Sequence, residues 1–388
     1  MEVALCYPSV LPARGGCETY IADFARRLSR DGHGVHLVAS AWDSAALPPS
    51  THFHRIDSPT GPRFLRPWRF AAACEQALKR IPHDISIGFD KTWGQDILFP
   101  QGGLHAATQT HNLRKYPNRI VRSLAAVGKW FDPANCSYSW LERKQYLGSK
   151  RPTILVNSAM VRGHFEQFYG VPPETLHVIH SAIDPLRFHA DDRLKRRAEE
   201  RDSWGVDPST TVGLFVGMNY RLKGLAPLLH AVAAMPAERK FRLAVVGHRK
   251  FAKYERLAES LKIRDRVHFL GFRADPKEAY FAADFLVHPT FYDPCSLVAL
   301  EAFACGLPVI TTRFNGVAEL MPADSPYVID DPHDARDLAR AMTALTDGAN
   351  RQAAAQSARE ISKAWTFEHH YQQFISLLDD VRGLKRAA

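Results

Sequence analysis

The sequence predicts an α/β protein made of two doubly wound domains facing each other across a cleft. Three observations carry this. Short apolar runs alternate with longer stretches of helical periodicity through most of the chain, which is the pattern of βα units on a parallel sheet. The alternation breaks at a polar, charged run over 184–202 and then restarts. The length of 388 residues calls for two domains at roughly 100–200 residues each. With 46% hydrophobic and 23% charged residues, the chain can bury two cores and is not a disordered one.

In the first half, strands are expected over 3–7, 35–39, 85–88, 97–100 and 154–157. A helix over 16–30 puts Tyr20, Ile21, Phe24 and Leu28 on one face and Asp23, Arg26, Arg27 and Arg30 on the other. A second helix follows at 158–169, with Ser158 placed to cap it. The run 184–202 reads as the link between domains. The second half offers strands over 211–217, 241–247, 267–270, 284–288, 307–312 and, more weakly patterned, 327–329. Helices over 225–234, 253–261, 276–282 and 296–305 alternate with them. Beyond Pro332 come further helices, with Trp365 between them, and a basic tail. The expected domains are therefore 1–185 and 186–370, with a final helix over 371–388 packing back on the N-terminal domain.

Composition removes several classes. No run approaches the ~18–20 apolar residues of a membrane-spanning helix. The start, Met1 to Pro8, lacks a basic segment and a long apolar one, so a secretory signal is not expected. Six scattered cysteines without a C-x-x-C pair argue against zinc or a disulfide framework and for a reducing cytoplasm. No histidine pair has metal-ligand spacing and no D-x-D stands at a strand end, so no essential metal is expected. The net charge is +9, and much of it is local. Residues 111–151 hold nine Lys or Arg against Asp132 and Glu142. The same stretch carries Tyr116, Trp130, Phe131, Tyr138, Trp140 and Tyr146. Cations interleaved with aromatics suit an anionic membrane surface. Nucleic acid is not expected, since no binding motif accompanies the charge.

Four segments carry chemistry. In Asp293-Pro294-Cys295-Ser296-Leu297-Val298-Ala299-Leu300-Glu301 a strand gives way to a loop with an acid, then to a helix with a second acid. The helix N-terminus at Ser296 and Leu297 suits a phosphate, and two acids facing one cleft suit sugar or ribose hydroxyls. In Val216-Gly217-Met218-Asn219-Tyr220-Arg221-Leu222-Lys223-Gly224 two cations follow a strand, where they suit a diphosphate. In Arg14-Gly15-Gly16-Cys17-Glu18 paired glycines open a helix and allow close backbone approach to a ligand. In Gln101-Gly102-Gly103-Leu104-His105-Ala106 a lone histidine follows a strand and can bond a sugar hydroxyl or the leaving oxygen.

Taken together these segments resemble retaining glycosyltransferases of family 4, which have the GT-B fold of two Rossmann-like domains. The first match is to the family's E-x7-E region, with Asp293 and Glu301 at the two acidic positions. Asp293 is a methylene shorter than the family's Glu, and Cys295-Ser296 replaces the usual Phe-Gly. Lys223 matches the family's diphosphate lysine. Met218 stands where the family arginine often follows Gly217, which makes Arg221 a substitute for it. The resemblance implies that Asp293 meets the transferred sugar, with His105 beside it as the second catalytic candidate. It implies that Glu301 binds the ribose. Donor contacts then fall to Gly16, Arg221, Lys223, Gly247, Phe272, Arg273, Ser296, Leu297 and Glu301, with Phe272 and Arg273 at the base. Residues 178–184 match the family's link between domains.

Within the family the likeness runs toward lipopolysaccharide core glucosyltransferases, on Ile87-Gly88-Phe89-Asp90-Lys91 and the cationic segment after it. The implied reaction moves a hexose, glucose from UDP-glucose, to a membrane-associated glycolipid. The co-substrate is a nucleotide sugar, no metal is implied, and the location is cytoplasmic at the inner membrane face. Two other readings stay open: a GT-B nucleotide-sugar 2-epimerase, and an inactive sugar- or membrane-binding homologue.

Overall fold

Parallel strands organise both halves of the chain in the computed structural model, which describes residues 1–12, 15–57, 59–148, 152–189 and 191–387. Arg14, Lys150 and Arg151 of the sequence motifs lie outside the described residues. The chain forms two units, Met1–His180 with His370–Ala388, and Ser181–His369. Each is a doubly wound, Rossmann-like sheet flanked by helices.

The first unit has a seven-stranded parallel sheet. Its order runs from His52–Arg55 through Gly34–Ala39 and Glu2–Cys6 to Ile85–Phe89, Ile97–Phe99, Thr153–Val156 and Leu176–Val178. The central strands are apolar on both faces because helices cover both, which is why they read as continuous hydrophobic runs. Two edge strands escape a sequence reading. His52–Arg55 is polar, and its pairing of His36 with His52 and Leu37 with Phe53 is set by the neighbouring strand. Leu176–Val178 is three residues long. The helix Arg66–Leu78 also goes unpredicted, although Phe70, Cys74 and Leu78 recur at helical spacing and are buried.

The C-terminal helix Phe367–Ala387 carries the chain back into this unit. Phe374 packs against Phe24 with ring centroids 4.6 Å apart. Nearby, Tyr20 Oη and His370 Nε2 are 2.7 Å apart, while His370 Nδ1 lies 2.7 Å from the His180 carbonyl. Tyr20 and Phe24, two of the residues of 16–30 that follow helical periodicity, are thus covered by the last helix.

The second unit has a six-stranded parallel sheet in the order Val267–Gly271, Phe241–Gly247, Thr211–Gly217, Phe285–His288, Val309–Thr312, Val328–Ile329. The order reverses between Thr211–Gly217 and Phe285–His288, and ligands of such sheets bind at strand carboxyl ends beside that point. The charged run read as a link is corrected here. It holds the helix Arg193–Ser203, an integral part of the second unit. Arg197 donates to the carbonyls of Phe281, Ala282 and Ala283 at 2.7–3.0 Å and pairs with Asp284 at 2.7 Å. Arg201 is buried and reaches Asp284 at 3.4 Å. These arginines satisfy the last carbonyls of the helix Lys277–Ala282.

Candidate functional site

At the carboxyl ends of the second unit's central strands, three of the predicted residues gather with one that was not predicted. The strand Thr211–Gly217 leads into a turn that ends at Gly224, where φ is +80° and a Cβ would lie 2.1 Å from the Pro289 carbonyl oxygen. Only glycine tolerates that approach. The turn is tied to the facing loop by Phe291 N–H donating to the Leu222 carbonyl at 2.9 Å. Lys223 Nζ is thereby brought 2.6 Å from Asp293 Oδ2. His288, the buried last residue of its strand, places Nε2 3.3 Å from the same oxygen. Burial alone would raise the Asp293 carboxyl, but Lys223 and His288 outweigh it and hold the group well below the usual carboxylate range. Burial lowers His288, so its ring is neutral at pH 7 and Nε2 acts as the donor to Asp293. Gly247 ends the next strand with φ +154°, and a Cβ there would sit 2.0 Å from the Gly217 carbonyl oxygen.

The helix Leu297–Ala304 starts after Ser296, whose side chain makes no cap bond. No side chain caps the first turn, which leaves the N–H groups of Leu297 and Val298 to an anion. Asn315 braces the entry, accepting from Ser296 N–H at 3.2 Å and donating to Thr311 at 3.0 Å. Glu301 stands further along and accepts from Tyr280 Oη at 2.6 Å. Burial pushes its carboxyl up to about 7, against smaller lowering effects from Tyr280 and Arg187. Arg221 is exposed, as is Phe272. Arg273 is engaged elsewhere: it pairs with Glu200 at 2.5 Å and lies over the Trp204 ring.

The remaining two predicted residues belong to the first unit. Gly16 is the first residue of the helix Gly16–Arg30. His105 opens the helix His105–Arg114 and lines a cavity of about 630 Å³. Its Nε2 is 2.9 Å from Asn135 Oδ1, and burial lowers the imidazole, leaving it neutral. Glu142 caps this helix by accepting from the N–H groups of His105 and Ala106. Asp90, at φ +56°, and Lys91 share the cavity wall.

The cationic stretch folds as the helices His105–Arg114, Arg119–Trp130 and Pro133–Tyr146. The middle one has no buried residue. Ile120, Leu124, Val127 and Phe131 follow one helical stripe and are all exposed, with Trp130 76% and Phe131 79% accessible. Arg119 and Lys129 stand on the same helix. No helix among the described residues is long and apolar enough to cross a membrane.

Sequence reasoning missed His288, Tyr280, Glu142 and Asn315. His288 had a local signal, since it ends the strand that leads to Asp293. The other three act across 19 to 37 residues of sequence, and no local pattern marks such partnerships.

Comparison with known proteins follows the same division. The glycosyl transferases group 1 family matches residues 196–361, and glycosyltransferase family 4 matches residues 14–187. The lipopolysaccharide glucosyltransferase WaaG of Escherichia coli (strain K12) is 27% identical over 366 residues, which is 92% of this chain and 93% of that protein. The crystal structure of WaaG, a glycosyltransferase involved in lipopolysaccharide biosynthesis, superimposes with a TM-score of 0.77 at 25% identity, over 97% of this chain and 99% of that one. A D-inositol 3-phosphate glycosyltransferase of Rhodococcus jostii (strain RHA1) is 30% identical over 238 residues, 58% of this chain and 52% of its own.

Proposed function

The chain is a GT-B glycosyltransferase with group 1 and family 4 domains, related to WaaG, and on that premise we propose that it moves glucose from UDP-glucose, with retention, to a membrane-associated glycolipid of the lipopolysaccharide core type. The observation that carries the donor reading is the Lys223–Asp293–His288 cluster beside an uncapped helix start. An ammonium has three N–H donors. One stays on Asp293 while the others turn to the donor's diphosphate. Arg221 and the first-turn N–H of Leu297 add to this positive end, and the Ser296 hydroxyl can donate beside them. Negative charge builds on the diphosphate as its bond to the sugar breaks, and these fixed groups stabilise it without a metal ion.

Asp293, kept ionised by Lys223 and oriented by His288, accepts a hydroxyl of the transferred sugar. Glu301 accepts the ribose hydroxyls, and the close approach at Gly247 leaves backbone room beside them. Phe272 covers the base; Arg273, held by Glu200, frames that loop. The acceptor enters through the first unit, past Gly16 and the cavity lined by His105. Its hydroxyl oxygen attacks the anomeric carbon on the face the diphosphate leaves. The new C–O bond forms as the old one breaks, and the hydroxyl proton passes to the departing phosphate oxygen. The exposed stripe of Ile120, Leu124, Val127 and Phe131, flanked by cations, supports docking at the anionic inner face of the membrane.

The test is a transfer assay with UDP-glucose and a heptose-terminated core lipopolysaccharide. The expected product carries an α-linked glucose, read by its anomeric NMR coupling. A β-linked product contradicts retention. An epimerised nucleotide sugar formed without acceptor identifies an epimerase. Donor binding with neither transfer nor slow hydrolysis identifies an inactive homologue.

A further inference from the structure

We propose that the cavity of the first unit is built for an acceptor sugar that bears an anionic group, phosphoryl or carboxylate, gripped at the cavity mouth by Arg63 and Arg66. The proposal rests on the glycosyltransferase reading above in taking this cavity as the acceptor's place. At about 630 Å³ the cavity suits a substituted monosaccharide. Its charges divide into two sets. The carboxylates are committed to the protein. Glu142 accepts from two backbone N–H groups of the helix at His105 and from Tyr169 Oη at 2.7 Å. Asp90 Oδ1 accepts from Gly102 N–H at 3.1 Å. The helix start at His105 is thus already occupied and is not the anion's seat.

The cations are committed less. Arg63 and Arg66 are exposed lining residues three positions apart, and neither pairs with a carboxylate among the described residues. Arg66 spends one N–H on the Gly61 carbonyl at 3.1 Å, which fixes its position and leaves the rest of its guanidinium open. Lys91 lies deeper, its Nζ 3.5 Å from the centre of the Tyr138 ring and in the field of Asp90 and Glu142. His105 is neutral and adds no charge. A neutral sugar would use Lys91 and His105 for its hydroxyls and leave both arginines without a counter-charge. Planar guanidiniums in a pair match the oxygens of a phosphate or carboxylate by bidentate bonds.

The experiment is calorimetric titration of the full chain, without donor, by mannose, mannose 6-phosphate and glucuronate. At least one acidic sugar should bind about tenfold or more tighter than mannose, about 1.4 kcal/mol. The tighter of the two names the group. Arg63→Gln with Arg66→Gln should erase that preference with no change in melting temperature, both side chains being exposed. Lys223→Ala should keep it, because that lysine belongs to the donor site of the other unit. Equal binding of all three sugars, or none detectable, overturns the proposal. So does a preference that survives the double arginine change or vanishes with Lys223→Ala. UDP-glucose titrated into the same preparations tests the donor reading separately, since its failure leaves the acidic-sugar preference standing.

Discussion

Glu301→Gln should make the protein more stable and bind nucleotide less well, and both effects should depend on pH. The carboxyl is pushed up to about 7 by burial, from an ordinary 4.5. Below 4.5 it is neutral in the folded and unfolded chain alike and contributes no difference. Between 4.5 and 7 the unfolded chain ionises while the folded one keeps its proton, so stability falls as pH rises. Above 7 the folded chain carries a buried charge whose cost is about 3 kcal/mol. Glutamine has the same shape and still accepts from Tyr280, but it carries no charge. At pH 8 the variant should therefore melt roughly 5–10 °C higher than the parent, and at pH 4.5 at the same temperature.

On the ribose role proposed for Glu301, the hydroxyls donate to the ionised form, so nucleotide affinity in the parent should rise about tenfold from pH 6 to pH 8. In the variant that rise should be absent. Scanning calorimetry at pH 4.5, 6 and 8, with UDP titrations at the last two, reads both effects. A lower melting temperature for the variant at pH 8 would show that Glu301 is not a costly buried charge, and a pH dependence of UDP affinity that survives the substitution would remove Glu301 from ribose binding.

Three further outcomes follow from the geometry. Asp293→Asn leaves the half-buried Lys223 without its counter-charge, and urea unfolding should show a loss of about 3 kcal/mol together with loss of transfer; unchanged stability would mean the pair is not a real constraint. Phe374→Ala removes a ring packed in the first unit's core, and denaturation should show a loss of about 3–5 kcal/mol while isolated donor contacts in the second unit are untouched. Serine at Ile120, Leu124 and Val127 should abolish sedimentation with anionic liposomes without altering the melting temperature; persistent sedimentation would remove this stripe from the membrane account.

How much of this was legible in the sequence depends on how local each cause is. The buried strands were plain because their apolar runs need no partner to be recognised. The helix Gly16–Arg30 was plain because Tyr20, Ile21, Phe24 and Leu28 recur at helical spacing and are all buried. His52–Arg55 was invisible because a polar edge strand takes its pairing from the neighbour, not from its own alternation. The helix Arg193–Ser203 was misread as a link because its charges look solvated, whereas Arg197 and Arg201 are consumed by Asp284 and by carbonyls about 80 residues away. In the site, the spacing of Asp293 and Glu301 and the position of Lys223 were visible. Of the partners that tune them, Tyr280 stands 21 residues from Glu301 and leaves no local mark, whereas His288, at the end of the strand before Asp293, could have been read. Arg273 shows the same limit: its position on the loop was visible, but its ion pair with Glu200, 73 residues earlier in the chain, was not.

On the proposed function, Lys223 and its surroundings grip the donor's diphosphate without a divalent ion. Titrating UDP-glucose into the parent and into Lys223→Ala, both in excess EDTA, tests it most directly. The parent should bind under chelation and the variant at least tenfold more weakly. Binding that disappears with EDTA, or that is indifferent to the loss of Lys223, would contradict it.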